Sequence, residues 1–404
     1  MTSVCVIGAG IVGCATAYQL ARIGFAVHLV DAADAPGTVT SFANGGQLSY
    51  SYVEPLASPA TLRALPGMLL SADSPLKFRL RAEWRQWRWG LRFLAACRAG
   101  AARRGTARLL DLARTSRKTL EAWMRSEAWS FAFERNGKLV LCPDAATLRR
   151  QVKQVQLQAI FGCVQEALTR EECLEREPAL ALGNTRFVGG VWTPDECVAD
   201  PFLLCRELVG SLKRLGGSAS FGTSVSGFAR DGTRLVAAHT EHGDLHADAF
   251  VLCTGPNAAA LAATVGLHLP IYPIKGYSLT LPFTGAVRPR ASVTDLGRKT
   301  VFAPLGGQMR IAAMAEIGEY GLDIPSARLD TMLTGLHAVY PGLCDTTAPL
   351  AWAGLRPATP DSVPIVGRWA DTNLFINAGH GALGFTLAAG SAARIADELA
   401  RAVS

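Results

Sequence analysis

The chain has 404 residues, 49% of them hydrophobic and 18% charged, and its formal net charge is +7. A chain this long buries a sizeable core and divides into two domains. No run approaches the roughly 18 consecutive apolar residues of a spanning helix, and no cationic segment precedes the first apolar run as a secretory leader requires. The ten cysteines include no C-x-x-C pair and are separated by gaps of 8 to 91 residues. That argues against zinc sites and disulfide frameworks, so no metal is expected and reduced thiols point to the cytoplasm. The charge is lopsided: ten Lys or Arg residues lie between Lys77 and Arg108 against one acid, Glu83, and the remainder is nearly neutral.

In chain order, an apolar strand at Val4–Ile7 runs into Gly8-Ala9-Gly10-Ile11-Val12-Gly13, a helix over 11–23 and a second strand at 26–30 ending on Asp31. The glycines permit a sharp turn and close approach of a pyrophosphate to a helix N-terminus, and Gly13 lets that helix pack on the sheet. Asp31, with Ala32 after it, stands 18 residues past the last glycine, where a ribose-binding acid is expected at about 20. This pattern predicts binding of an adenine dinucleotide.

A Gly, Ser and Pro-rich stretch then occupies 34–75, followed by helices at 76–97 and 106–125, a strand at 138–142 and a helix at 145–160. Next come a strand at 186–192 and Asp200-Pro201, an N-cap and first-turn proline, before a helix at 202–215. Short strands at 219–221, 224–229, 234–240 and 249–252 lead to Thr254-Gly255 and a helix from Asn257, with Asp231-Gly232 as a hairpin turn. Strands at 271–281 and 299–312, a helix at 327–339, and strands near 351–356 and 373–376 precede a last helix over 384–402. The expected fold is α/β: a Rossmann-like nucleotide domain from 1–50, 190–265 and 345–404, and a discontinuous α+β substrate domain from 51–189 and 266–344 with a mixed antiparallel sheet.

The C-terminal strand, Gly-rich turn and helix separate flavin from nicotinamide. Residues 373–390, NLFINAGHGALGFTLAAG, make a second helix start far from the first in sequence. A flavin uses two such points, one at its pyrophosphate and one at the pyrimidine end of its ring, where a helix N-terminus stabilises negative charge on reduction.

Five ordered motifs carry a resemblance: GAGIVG at 8–13, SFANGGQ at 41–47, YPIKGYS at 272–278, GLRPATPD at 354–361 and NAGHG at 377–381. The chain resembles, over essentially its whole length, the FAD-dependent amino acid oxidoreductases of the D-amino acid oxidase and glycine oxidase type, the bacterial D-amino acid dehydrogenases above all. The resemblance implies FAD and hydride transfer from an amino acid Cα to flavin N5, giving an imino acid that hydrolyses to a 2-oxo acid and ammonia. By motif, Ser41, Gly45, Gly46, Gln47 and Leu48 would line the ribityl and ring side. Val225 would meet the adenine portion through backbone, Thr254 and Gly255 would close over the dinucleotide, and Gly379, His380, Gly381, Ala382, Leu383, Gly384 and Thr386 would meet the pyrimidine edge. Arg356, following Gly354 in G-L-R-P, would clamp the substrate carboxylate bidentately. Tyr277 is expected to donate to that carboxylate or shape the side-chain pocket, and Tyr50 and Tyr52 to form an aromatic wall. His380 either tunes the flavin or caps backbone groups. No side chain must act as general base, because hydride transfer needs an uncharged amine.

The electron acceptor expected from the resemblance is a quinone or other carrier, with an O2-using oxidase and a subunit of a heteromeric dehydrogenase as alternatives. Within 77–108, Leu80, Trp84, Trp87, Leu91 and Leu94 share a helical stripe beside Arg81, Arg85, Arg88 and Arg92. That stripe either enters the core of the second domain or lies on an anionic membrane surface, which would put the protein at the inner face of the cytoplasmic membrane. No nucleic-acid module accompanies it, so no nucleic-acid partner is expected.

Overall fold

The computed structural model describes residues 1–53, 55–63 and 76–403. Six strands form the first sheet, in the order Ile365–Arg368, Leu374–Ala378, Ala249–Leu252, Ser3–Ile7, Ala26–Val30 and Ser218–Ser220. All neighbours pair parallel except the first two. Parallel strands covered on both faces read as continuous apolar runs, which is how Val4–Ile7 and Ala249–Leu252 were legible. On one face Val4, Val6 and Leu29 pack against helices Ile11–Arg22, Pro201–Arg214 and Gly384–Val403. On the other, Cys5, Ile7 and Phe250 pack against helix Ala258–Ala263 and a three-stranded antiparallel sheet spanning Val225–His246.

The second sheet is mixed and nine-stranded. It runs Leu350–Ala358, Tyr272–Pro282, Gln308–Ile317, Thr300–Leu305, Ser292–Asp295, Lys138–Cys142, Gly189–Thr193 and Glu166–Thr169, with Leu76–Phe78 beside Gln308–Ile317. One face buries Tyr277, Leu279 and Leu281 against Met332, Leu336 and Tyr340 of the Ser326–Val339 helix and its end. The opposite face meets the first domain. There Ser278 Oγ donates to the Ala43 carbonyl at 2.7 Å, and Arg310 Nη1 donates to the Asn44 carbonyl at 2.7 Å.

Several expectations need correction. The 76–97 segment opens as a strand at Leu76–Phe78, pairing with Ala315–Ile317, and its helix begins only at Trp84. Gln86 holds that entry: its side chain donates to the Arg79 carbonyl and accepts from the Arg81 N–H. The 299–312 run is a hairpin rather than one strand, with Gly306-Gly307 turning Thr300–Leu305 into Gln308–Ile317. Strands Gly189–Thr193 and Leu350–Ala358 hydrogen-bond into the second sheet, although the sequence division gave 190–265 and 345–404 to the nucleotide domain. The Pro-rich stretch falls partly outside the described residues.

Candidate functional site

A cavity of about 500 Å3 opens at the carboxyl ends of the parallel strands. Gly8, Ala9, Gly10, Ile11 and Val12 form one wall, Asp31 and Ala32 another, and Gly379, His380, Gly381 and Gly384 a third. Gly8 sits at φ +104°, and a Cβ on Gly13 would overlap the Gly8 carbonyl oxygen, so the sharp turn and the close helix packing both demand glycine. Helix Ile11–Arg22 starts without a side-chain cap, as does the short Gly381–Leu383 turn that leads into Gly384–Val403. Neither N-cap residue, Gly10 or His380, places a side chain on its helix N–H groups, and both starts border the cavity, where an anionic or electron-rich ligand could meet the positive ends of the helices.

Asp31 spends both carboxylate oxygens on backbone, accepting from Ala9 N–H and, at 2.7 Å, from Ala33 N–H. It thereby fixes the glycine turn, and the remaining lone pairs stay available to a ribose hydroxyl. Ser41 Oγ accepts from the Ile11 N–H at 3.0 Å, pinning the start of that helix from the cavity side. Val225, Thr254 and Gly255 line the same cavity. Two buried polar atoms on the lining, Thr254 Oγ1 and Asn377 Oδ1, have no hydrogen-bond partner among the described residues. Orphaned buried acceptors and donors beside two uncapped helix starts fit a dinucleotide.

The remaining cofactor-side residues lie at the margin. Gly45 packs near the Ala312 side chain and Gly46 near Leu305, so this loop docks on the second sheet. Gln47 turns its side chain away, donating to Ser292 Oγ at 3.0 Å and accepting from Lys138 Nζ at 2.9 Å. Leu48 is in the core. Thr386 Oγ1 accepts from the Ser49 N–H at 3.0 Å, joining the C-terminal helix to the same loop. Ala382, Leu383 and Gly13 support the walls without lining them, and Gly354 lies under the Trp352 ring.

Arg356 lies flat on the domain-facing side of the second sheet. Its guanidinium covers Gly276, where any Cβ would collide with it, and its Nη1 donates to the Met314 carbonyl at 3.1 Å. Burial pulls its pKa down, and no carboxylate among the described residues pairs with it. A desolvated guanidinium with one carbonyl partner among the described residues keeps N–H donors from which a carboxylate could accept.

Tyr277 and Tyr50 do not reach this face. Strand alternation puts Ile274, Gly276 and Ser278 on the Arg356 side and Tyr277 on the other, buried in the core below. There Tyr277 bonds Glu316, and burial pushes its phenol up to about 12. Tyr50 is buried in the core of the first domain rather than forming a wall. Tyr52 is half-buried, its ring 4.3 Å from Lys138 Nζ. His380 is buried with Nε2 3.1 Å from Ser391 Oγ, and burial lowers its pKa to about 3. A histidine so placed stays neutral, with Nε2 turned toward the C-terminal helix.

The pattern of the FAD dependent oxidoreductase family matches residues 3–398, and the chain belongs to that family. It is 44% identical to D-amino acid dehydrogenase 2 of Ralstonia nicotianae over 409 residues, covering 98% of this chain and 96% of that one. It is 44% identical to D-amino acid dehydrogenase 2 of Pseudomonas aeruginosa over 401 residues, covering 98% and 95%. Glycine oxidase from Geobacillus kaustophilus has the same fold, with a TM-score of 0.78 at 21% identity over 99% of this chain and 95% of that one. The protein is an FAD-dependent oxidoreductase, and the residues of the two-ended cradle fit that cofactor.

Sequence reasoning missed Asn44, Asn257 and Thr264 on the lining, along with Lys138 and Glu196 behind the 47–52 loop. The first three stand in ordinary loops and helices. Only the folded wall distinguishes them.

Proposed function

We propose that the protein oxidises a D-amino acid, with Arg356 holding the carboxylate. The observation that carries this is the partly buried guanidinium over Gly276 with no acid partner among the described residues, on the sheet face that also receives the Ala43–Gly46 loop. The names of the two dehydrogenases supply the substrate class. Bound FAD supplies a two-electron acceptor at N5 for the Cα hydride, after which the imino acid hydrolyses to a 2-oxo acid and ammonia. Arg356 fixes one end of the substrate and so aims Cα, while the flat glycine beneath keeps its guanidinium planar to the sheet. Neutral His380 faces Ser391 and takes no proton, so amine deprotonation falls to solvent. The Ala9–Val12 and Gly381–Gly384 helix starts hold the cofactor's two ends. An anaerobic screen of D- and L-amino acids and prolines, following loss of flavin absorbance, tests the reading. Bleaching by L-forms alone sinks it.

Electrons then pass to a quinone, and the exposed helix Trp84–Ala96 supports a membrane surface as the meeting place. Gln86, Trp89 and Phe93 are its buried residues, whereas Trp84 and Leu91 are 72% and 65% exposed. The Trp84, Trp87, Leu91, Leu94 stripe thus faces outward, flanked by Arg85, Arg88 and Arg92. Apolar anchors rimmed by bases match an anionic bilayer surface, each base contributing about 1 kcal/mol there. Among the described residues no helix is long and apolar enough to cross a membrane. Co-sedimentation with phosphatidylglycerol vesicles, absent with zwitterionic ones, checks this surface.

A further inference from the structure

Behind the 47–52 loop, the second sheet buries a cation that the oxidation scheme does not use. Lys138 lies in the Lys138–Cys142 strand with its Nζ donating to Gln47 Oε1 at 2.9 Å and Ser49 Oγ at 3.1 Å, 4.3 Å from the Tyr52 ring centroid. Its counter-charge is one step removed. One oxygen of the Glu196 carboxylate accepts from Ser51 N–H at 2.7 Å and Tyr52 N–H at 3.2 Å, and its charge acts on Lys138 through space. Lys138, Ser49 and Glu196 are all buried, and Lys138 and Glu196 both bond to this loop.

The loop is also tied to the cofactor's helix. Ser49, which takes the lysine on its hydroxyl, donates its N–H to Thr386 Oγ1 at 3.0 Å, and the Thr386 hydroxyl reaches back to the Gln47 carbonyl at 3.4 Å. Thr386 stands in the first turn of Gly384–Val403, the helix whose start borders the cavity. A continuous hydrogen-bonded path therefore runs from a buried ammonium, through Ser49, to the helix end expected at the flavin's pyrimidine edge. Burying a lysine is costly, and a plain hydrophobic strand residue would fill the space more cheaply.

We propose that Lys138 is a positioning residue for the flavin ring: through Gln47 and Ser49 it holds the 47–52 loop against the C-terminal helix, and its charge favours the reduced cofactor. The inference rests on FAD occupying the two-ended cradle but not on Arg356 or on the substrate. A cation held in a low-dielectric wall stabilises the electron-rich state of a neighbouring group, so its removal makes reduction harder. Burial lowers the Lys138 pKa to about 8, so its charge titrates near the working range. The groups facing it are Glu196 and Tyr52. Around Glu196 stand Tyr50, Cys163 and Cys197, and burial raises the pKa of all three away from that range.

The test is the midpoint potential of bound FAD in the holoenzyme, measured by dye-coupled reduction across pH. Lys138→Met should retain FAD, shift the potential negative, and lower kcat roughly tenfold with little change in KM. Lys138→Arg should restore most of the potential. In the natural protein the potential should fall more steeply with pH above about 8, and that extra slope should vanish in Lys138→Met. If Lys138→Met fails to fold, an absent break near pH 8 in the natural protein, or an unrestored potential in Lys138→Arg, overturns the proposal. So does a folded Lys138→Met with unchanged potential. Failure of the Arg356 clamp would leave these readings untouched, so the two ideas fail separately.

Discussion

At the dinucleotide end of the cavity the protein presents backbone: glycines at 8, 10 and 13, uncapped helix starts, and N–H groups fixed by Asp31 and Ser41. On the second sheet beside it the protein presents side chains: Arg356 across Gly276, and Lys138 with Glu196 buried behind the 47–52 loop. At Gly8 and Gly13 this backbone tolerates almost no substitution, because the space for a Cβ does not exist. The side chains tolerate many substitutions sterically, and each is felt through charge. The two regions should therefore respond differently to mutation, in cofactor content at one and in kinetics or potential at the other.

Breaking the backbone end should have the largest effect. Gly13→Val drives a side chain into the Gly8 carbonyl, and the purified protein should be colourless with its fold or solubility impaired. Absorbance at the flavin bands against protein concentration reads this directly. Next in size is Arg356→Ala, which removes a charge-assisted clamp worth about 1.5–3 kcal/mol and should raise KM at least tenfold with FAD retained. Arg356→Lys should recover only part of that, since a point charge cannot reproduce the fork. A KM within twofold of the natural protein's in both variants would remove Arg356 from the substrate site.

A third effect sharpens the contrast through pH. The His380 pKa falls from 6.5 unfolded to about 3 folded, so the folded state resists protonation. Stability from this group is complete above pH 6.5 and is lost as pH drops toward 3, by about 1.4 kcal/mol per unit. Thermal melts at pH 7 and pH 5 should show His380→Gln losing less on acidification than the natural protein, although carboxylates contribute equally to both. The smallest effect belongs to Tyr277→Phe. It removes a hydrogen bond to Glu316 on the far side of the sheet, costs about 1 kcal/mol of stability, and should leave KM within about twofold.

Much of the cradle was readable from the sequence because the chemistry there restricts residue type. Gly8, Gly13 and Asp31 are required by backbone geometry, and the strand ends that place them are unbroken apolar runs. Arg356 stood out in the sequence through its motif. Its surroundings did not. Whether Tyr277 shares its face depends on the register between Tyr272–Pro282, Gln308–Ile317 and Leu350–Ala358, which includes an irregularity between Lys275 and Tyr277. No local pattern encodes a register set by strands so far apart.

Lys138 was hidden for the same reason: a lone lysine opening an apolar strand reads as a solvated end, and only Gln47, Ser49 and Tyr52 folding over it reveal the burial. The Trp84–Ala96 helix posed a different ambiguity. Its apolar residues exceed one stripe, and periodicity does not choose which stripe is buried. The structure chooses Trp89 and Phe93, which stack at 5.1 Å, with Trp89 also meeting Tyr272 and donating to the Ala358 carbonyl.

The most direct measurement is anaerobic titration of the yellow holoenzyme with D-amino acids, comparing the natural protein with Arg356→Ala. Bleaching of the natural protein by a D-amino acid, with the variant needing at least tenfold more substrate for the same loss of colour, is the predicted result. Equal bleaching curves for the two proteins, or no bleaching by any D-amino acid, would contradict it.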